Sequence, residues 1–157
     1  MAKVVSRTAN EATVQVGVRL QGSLLDMEAA IQEASNTLGC CATEEALKRF
    51  HADGSPIRIG ALKSTARGRS PKPCQTPHGV VEVKRYVYQT SRSGRIGCPL
   101  EQQARIIRGS TPLFASQISH EYAQLNARAV QTNLAQSYGR DVATSCIQRV
   151  AEWMGDN

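Results

Sequence analysis

Apolar residues return every three or four positions across Thr111–Trp153, and that rhythm predicts three successive helices. Phe114, Ile118, Tyr122 and Leu125 line one face of the first. Thr111-Pro112 opens it, a hydroxyl cap followed by proline at the first helical position. Asn126 is placed to cap the second, with Val130, Leu134 and Tyr138 inward. Gly139 follows, where a left-handed C-terminal turn favours a residue without Cβ. Beyond the corner Arg140-Asp141-Val142, a third helix shows Ile147, Val150 and Trp153 on one face. Helix, short glycine turn, helix predicts a helix-turn-helix, and the same periodicity also fits a purely structural helical hairpin.

Upstream the rhythm changes twice. Residues 12–20 alternate, with Val14, Val16, Val18 and Leu20 on one side, which predicts a half-buried strand. Ser23 then caps a helix whose stripe is Leu24, Met27, Ile31, Ala34 and Leu38, expected to be core, with a dimer seam as the other reading. Gly39 is expected to end that helix, and Thr43 to cap a further short one with Leu47 and Phe50 inward. Gly79–Gln89 alternates again, with Val81, Val83 and Val87 on one face and Glu82, Lys84, Tyr86 and Tyr88 on the other. Arg85 interrupts the apolar face, and Arg95–Cys98 returns as the partner strand of a β-hairpin. Glu101–Ile107 is a candidate short helix. Between these blocks Gly68, Pro71, Pro73 and Pro77 predict an irregular basic linker. The expected fold class is α+β, with a strand and helices in 1–60, a basic linker over 61–78, a hairpin over 79–100 and a helical region over 101–157.

Length and composition narrow the function. A chain of 157 residues can bury a real core, and it holds no apolar run long enough to span a membrane. The N-terminus lacks the apolar segment of a secretion signal, so a cytoplasmic location is expected. Net charge is +6, but its placement matters more: residues 54–109 carry 11 basic and 2 acidic side chains, while both flanks are slightly acidic. A local excess of that kind is the electrostatic footprint of a polyanion site. Only seven aromatics leave little for a platform that stacks single-stranded bases, so duplex is the expected form.

Five cysteines without C-x-x-C spacing argue against a disulfide framework. Cys74, His78 and Cys98, with a distant Cys41, are the candidate zinc set, and small buried core residues are the alternative. Neither phosphate-binding glycine loops nor a nucleophile elbow occurs in the chain, and no cofactor is expected.

A resemblance gathers these features. Asp53-Gly54-Ser55-Pro56-Ile57, Gln75-Thr76-Pro77-His78-Gly79-Val80-Val81-Glu82-Val83, Arg85–Ser91 and Cys98-Pro99-Leu100-Glu101 resemble bacterial insertion-sequence transposases of the ISKra group. Ala104–Ile107, Thr111-Pro112, Gln117–His120, Tyr122-Ala123 and Ile147-Gln148 continue it in order, covering roughly residues 50–155. The resemblance implies recognition of transposon ends by this part and a separate acidic nuclease domain, where two metal ions would act on the attacking and leaving oxygens. The chain is therefore expected to bind DNA without cutting it, as a truncated transposase. The alternatives are a helix-turn-helix transcriptional regulator or a subunit whose catalytic domain is supplied in trans. Duplex DNA is the expected partner, and a second copy of this chain in a homodimer or a full-length transposase is the candidate protein partner.

The third helix would enter the major groove, which makes Thr144, Ser145, Gln148 and Arg149 the expected reading residues, Gln148 towards adenine and Arg149 towards guanine. Arg67-Gly68-Arg69 is a candidate minor-groove segment. Lys63, Lys72, Lys84, Arg85, Arg92, Arg95 and Arg140 complete the expected DNA contacts. Relatives tend to carry serine where this chain has Ala143, which leaves the start of the reading helix without a hydroxyl cap.

Overall fold

Among the described residues, two antiparallel sheets and five helices form an α+β architecture. The computed structural model describes residues 1–50, 57–59, 62–89 and 96–156; over 57–59, 62–67 and at 96 it describes the backbone alone. In chain order the elements are β1 (Ala2–Arg7), β2 (Ala12–Val16), α1 (Leu24–Leu47) and a 3₁₀ turn at Lys48–Phe50. Then come β3 (Ile57–Ile59), β4 (Leu62–Gln75), β5 (Val80–Gln89) and β6 (Ile96–Gly97). The chain continues through α2 (Pro99–Gln103), α3 (Pro112–Tyr122), α4 (Ala127–Tyr138) and α5 (Thr144–Asp156).

The three C-terminal helices form where the periodicity puts them. Pro112 occupies the first turn of α3, and the Asn126 side chain accepts the Ala129 N–H at 2.8 Å to cap α4. Gly139 ends α4 at φ +62°, a conformation that costs a residue with Cβ. Their shared core holds Phe114, Ile118, Val130, Leu134, Ile147 and Val150. Tyr138 and Leu125, expected inward, are exposed instead, because each sits at the last turn or beyond, where the helix face has left the core.

Helix α1 departs from expectation. It runs through Gly39 and Thr43 as one helix of 24 residues, opened by a capping box between Ser23 and Asp26. Gly39 is an interior residue: a Cβ there would overlap the His78 ring. Thr43 caps nothing, and its hydroxyl donates back to the Gly39 carbonyl at 2.7 Å. The stripe expected as core divides. Ala34 is buried and Met27 half-buried, but Leu24, Ile31 and Leu38 face solvent. The β1–β2 sheet lies on this helix, and Arg7 bridges to Glu45 at 2.8 Å. Arg7 and Lys48 hold the Glu45 carboxyl down at about 2. Val18 and Leu20 lie past the end of β2 and are exposed.

The expected basic linker is a strand. Leu62–Gln75 pairs along β5 from Thr65 opposite Gln89 to Gln75 opposite Val80. Pro71 and Pro73 are tolerated because they stand two residues apart, so both missing N–H groups fall on one edge. Among the described residues no strand lies beside that edge at Pro71 and Pro73, since pairing with β3 stops at Ser64. Gly68, at φ +130°, sits where the register shifts by one residue, so Arg67-Gly68-Arg69 spans a β-bulge. The hairpin with β6 forms as expected, but Tyr88 is buried beside it rather than turned outward. The inner face of this ribbon carries Cys74 and Val81 into a second small core with Leu47, Cys98 and Leu100.

The turn between β4 and β5 joins the two cores. Thr76 Oγ1 donates to the Gly79 carbonyl at 2.8 Å and accepts the His78 and Gly79 N–H groups at 3.1 Å. Gln75 exchanges backbone hydrogen bonds with the segment before α3: its N–H donates to Gly109 and its carbonyl accepts from Thr111.

Candidate nucleic-acid interface

The β4–β5 ribbon concentrates charge, with Lys63, Arg67, Arg69 and Lys72 on one strand and Lys84 and Arg85 on the other, against Glu82 alone. Pairing fixes which of these share a face. Arg69 stands opposite Tyr86 and Pro71 opposite Lys84, so Arg69 and Lys84 share the outer face. The Arg69 guanidinium lies over the Tyr86 ring, 5.6 Å from its centroid, which holds the cation at the surface. Lys84 is exposed. Lys72 and Arg85 belong to the inner face and meet Glu101 of α2, at 2.6 Å and 3.7 Å. One carboxylate thus offsets part of the charge of two cations.

An open groove of about 660 Å³ lies between β4 and the start of α5. Lys72, Gln75, Glu101, Arg108, Ser145 and Arg149 are among the residues that line it. Arg108 and Arg105 both adopt positive φ, +49° and +56°, in the turn between α2 and α3. Neither is among the residues expected at the site. Their charge lies within the basic stretch, but nothing in the sequence marks a non-glycine residue for a left-handed turn.

On α5, Ser145, Gln148 and Arg149 are exposed and Thr144 half-buried, while Cys146, Ile147, Val150 and Ala151 pack inward. Glu152 is exposed one turn beyond Gln148, so the cationic part of this face is confined to its first two turns. Ala143 stands just before the helix, and its carbonyl accepts the Ile147 N–H at 3.2 Å. The absent hydroxyl there forgoes about 1 kcal/mol of capping.

Arg140 is not part of this surface. It is buried, its Nε donates to the Thr76 carbonyl at 3.2 Å, a second nitrogen donates to Gln75 Oε1, and its guanidinium stacks on Phe114. The left-handed turn at Gly139 swings it inward onto the ribbon's turn, where burial lowers its pKa. Arg140 is a clamp between the two cores. Arg92 and Arg95 lie outside the described residues, and for Lys63 and Arg67 the backbone in β4 is what is described.

The candidate zinc residues are not assembled. Among the described residues no three His, Cys, Asp or Glu side chains are placed to hold a metal ion. Cys74 and Cys98 are small core residues, and burial, with Glu101 adding to it, pushes the Cys74 thiol up to about 11. His78 lies against Gly39. No helix among the described residues is long and apolar enough to cross a membrane. No protein-family model matches the chain, and no curated protein is significantly similar to it.

Proposed function

We propose that this chain is a duplex-DNA-binding module, the end-recognition part of a transposase of the ISKra kind, without strand-cutting chemistry of its own. The observation that carries the proposal is that exposed cations stand at two places, Arg69 and Lys84 on the outer face of the ribbon, and Arg108 and Arg149 in the lining of the groove beside the first turns of α5. A two-stranded ribbon and a helix N-terminal turn are both shapes that fit a major groove. In this reading Arg69, Lys84 and Arg108 engage phosphates and fix the register. Gln148 and Arg149, exposed on adjacent positions of α5, reach base edges. Lys72 and Arg85 contribute less than the sequence suggests, because Glu101 already pairs with them.

The test is a fluorescence titration of the whole protein on duplex DNA at several salt concentrations. Each phosphate contact contributes about −0.9 to the slope of log K against log salt. Arg69→Ala with Arg108→Ala should weaken random and element-end duplex alike and flatten the slope by about two contacts. Gln148→Ala or Arg149→Ala should cost about 1–3 kcal/mol on the end sequence and little on random duplex. A salt-independent affinity, or identical behaviour of the two classes of variant, counts against the proposal.

A further inference from the structure

We infer that the outward face of α1 is a self-association surface, taking α1 of a second copy of this chain in antiparallel orientation. Leu24, Glu28, Ile31, Ser35, Leu38 and Ala42 recur at alternating spacings of four and three, and all six are exposed. Leu24 is 69%, Ile31 46% and Leu38 36% accessible, although β1–β2 and the ribbon cover other sides of the same helix. A repeat averaging 3.5 residues keeps a seam facing one partner helix along its whole length. From Leu24 to Ala42 it runs about 27 Å at 1.5 Å per residue.

The order of side chains in the seam selects the partner and its direction. Set antiparallel, with the usual pairing of alternate layers, Leu24 meets Ala42 of the second copy, Ile31 meets Ser35 and Leu38 meets Glu28. Leucine and isoleucine then face small residues, and Leu38 lies along the methylene stem of Glu28, whose carboxylate reaches water at the edge of the seam. The two Glu28 positions stand about 15 Å apart along the axis at 1.5 Å per residue. Set parallel, Glu28 faces Glu28, and the layers of Ser35 and Ala42 are underfilled. Ser35 does not oppose burial in the seam. A helical hydroxyl can donate to the carbonyl one turn back, as Thr37 and Thr43 do in this same helix.

The remaining acids of α1 do not oppose the pairing either. Asp26 is engaged by Ser23 and Glu45 by Arg7 and Lys48, while the helical repeat puts Glu33 and Glu44 on the far side. The seam therefore presents a single carboxylate, and its large and small positions are arranged to complement their own reverse. It fits a copy of itself better than a basic partner.

Sedimentation equilibrium of the whole protein without DNA tests the inference independently of any DNA binding. Wild type should self-associate in the micromolar range, and Ile31→Glu should be monomeric with unchanged circular dichroism. The orientation is read from Leu38. In the antiparallel pair Leu38→Lys meets the Glu28 carboxylate of the other copy and Leu38→Glu meets it with like charge, so Glu should weaken association about tenfold or more beyond Lys. A wild type that stays monomeric overturns the inference, as does equal weakening by Lys and Glu. Loss of helix content in both variants would make Leu38 a core residue, which also overturns it.

Discussion

The C-terminal helices and α1 carry apolar stripes of the same spacing, and the fold treats them oppositely. In α3, α4 and α5 the stripes converge, so Phe114, Ile118, Val130, Ile147 and Val150 are fully buried. In α1 much of the stripe is left uncovered: Gly39 lies under the ribbon turn and Ala34 is buried, while Leu24, Leu38 and Ile31 stay in water. Periodicity identifies an apolar face. What covers that face depends on neighbours that the helix's own sequence does not name.

Stability measurements can sharpen this contrast. Phe114→Ala should have the largest effect, about 3–5 kcal/mol by urea denaturation, because it removes an aromatic ring from the centre of the helical core. The same substitution also takes away the face on which Arg140 stacks. Arg140→Ala should follow at about 2–3 kcal/mol, since it strands the Thr76 carbonyl and Gln75 amide oxygen that its guanidinium satisfies. Arg140→Lys should recover only part of that loss, because an ammonium cannot reach both acceptors in the planar fork.

Gly39→Ala should be smaller and should change sign with context. Alone it drives a methyl into the His78 ring and destabilises. In a His78→Ala background the steric conflict is gone, and alanine should stabilise the helix over glycine by roughly 1 kcal/mol. A cycle of the two variants without coupling would place the ring elsewhere. At the small end, Ile31→Ala in dilute protein should move the unfolding free energy by no more than about 0.5 kcal/mol. A core-sized loss at Ile31 would erase the distinction between the two stripes.

Much of the fold is legible in the chain where local signals and burial agree. The three C-terminal helices appear with the expected proline start, Asn126 cap and Gly139 stop, and the β5–β6 pairing appears where alternation and a turn predict it. The failures have physical causes. Gly39 reads as a stop because only the fold reveals that the ribbon turn approaches it. The prolines of β4 read as a linker because their spacing is informative only once the free edge is known. Arg140 reads as a surface cation because its charge is visible in the sequence and its buried acceptors, more than sixty residues earlier, are not. For the candidate interface, the exposed positions of α5 are readable from helical spacing. The place of Arg108 in the groove is not, since it depends on a left-handed backbone at a residue with a side chain.

The ribbon's turn has a consequence for where this chain can be cut or extended. Polar hairpin tips are ordinarily the soft points of a protein, the places where proteases nick and insertions are absorbed. Here Thr76–Gly79 is held from several sides: by its own threonine hydroxyl, by the strand-like exchange through Gln75, by Arg140, and by α1, where the Cys40 sulfur would overlap a Cβ on Gly79. Pro77-His78 should therefore be among the last bonds cleaved in limited proteolysis. An affinity tag inserted there should abolish folding, whereas one added before β1 should be carried without effect.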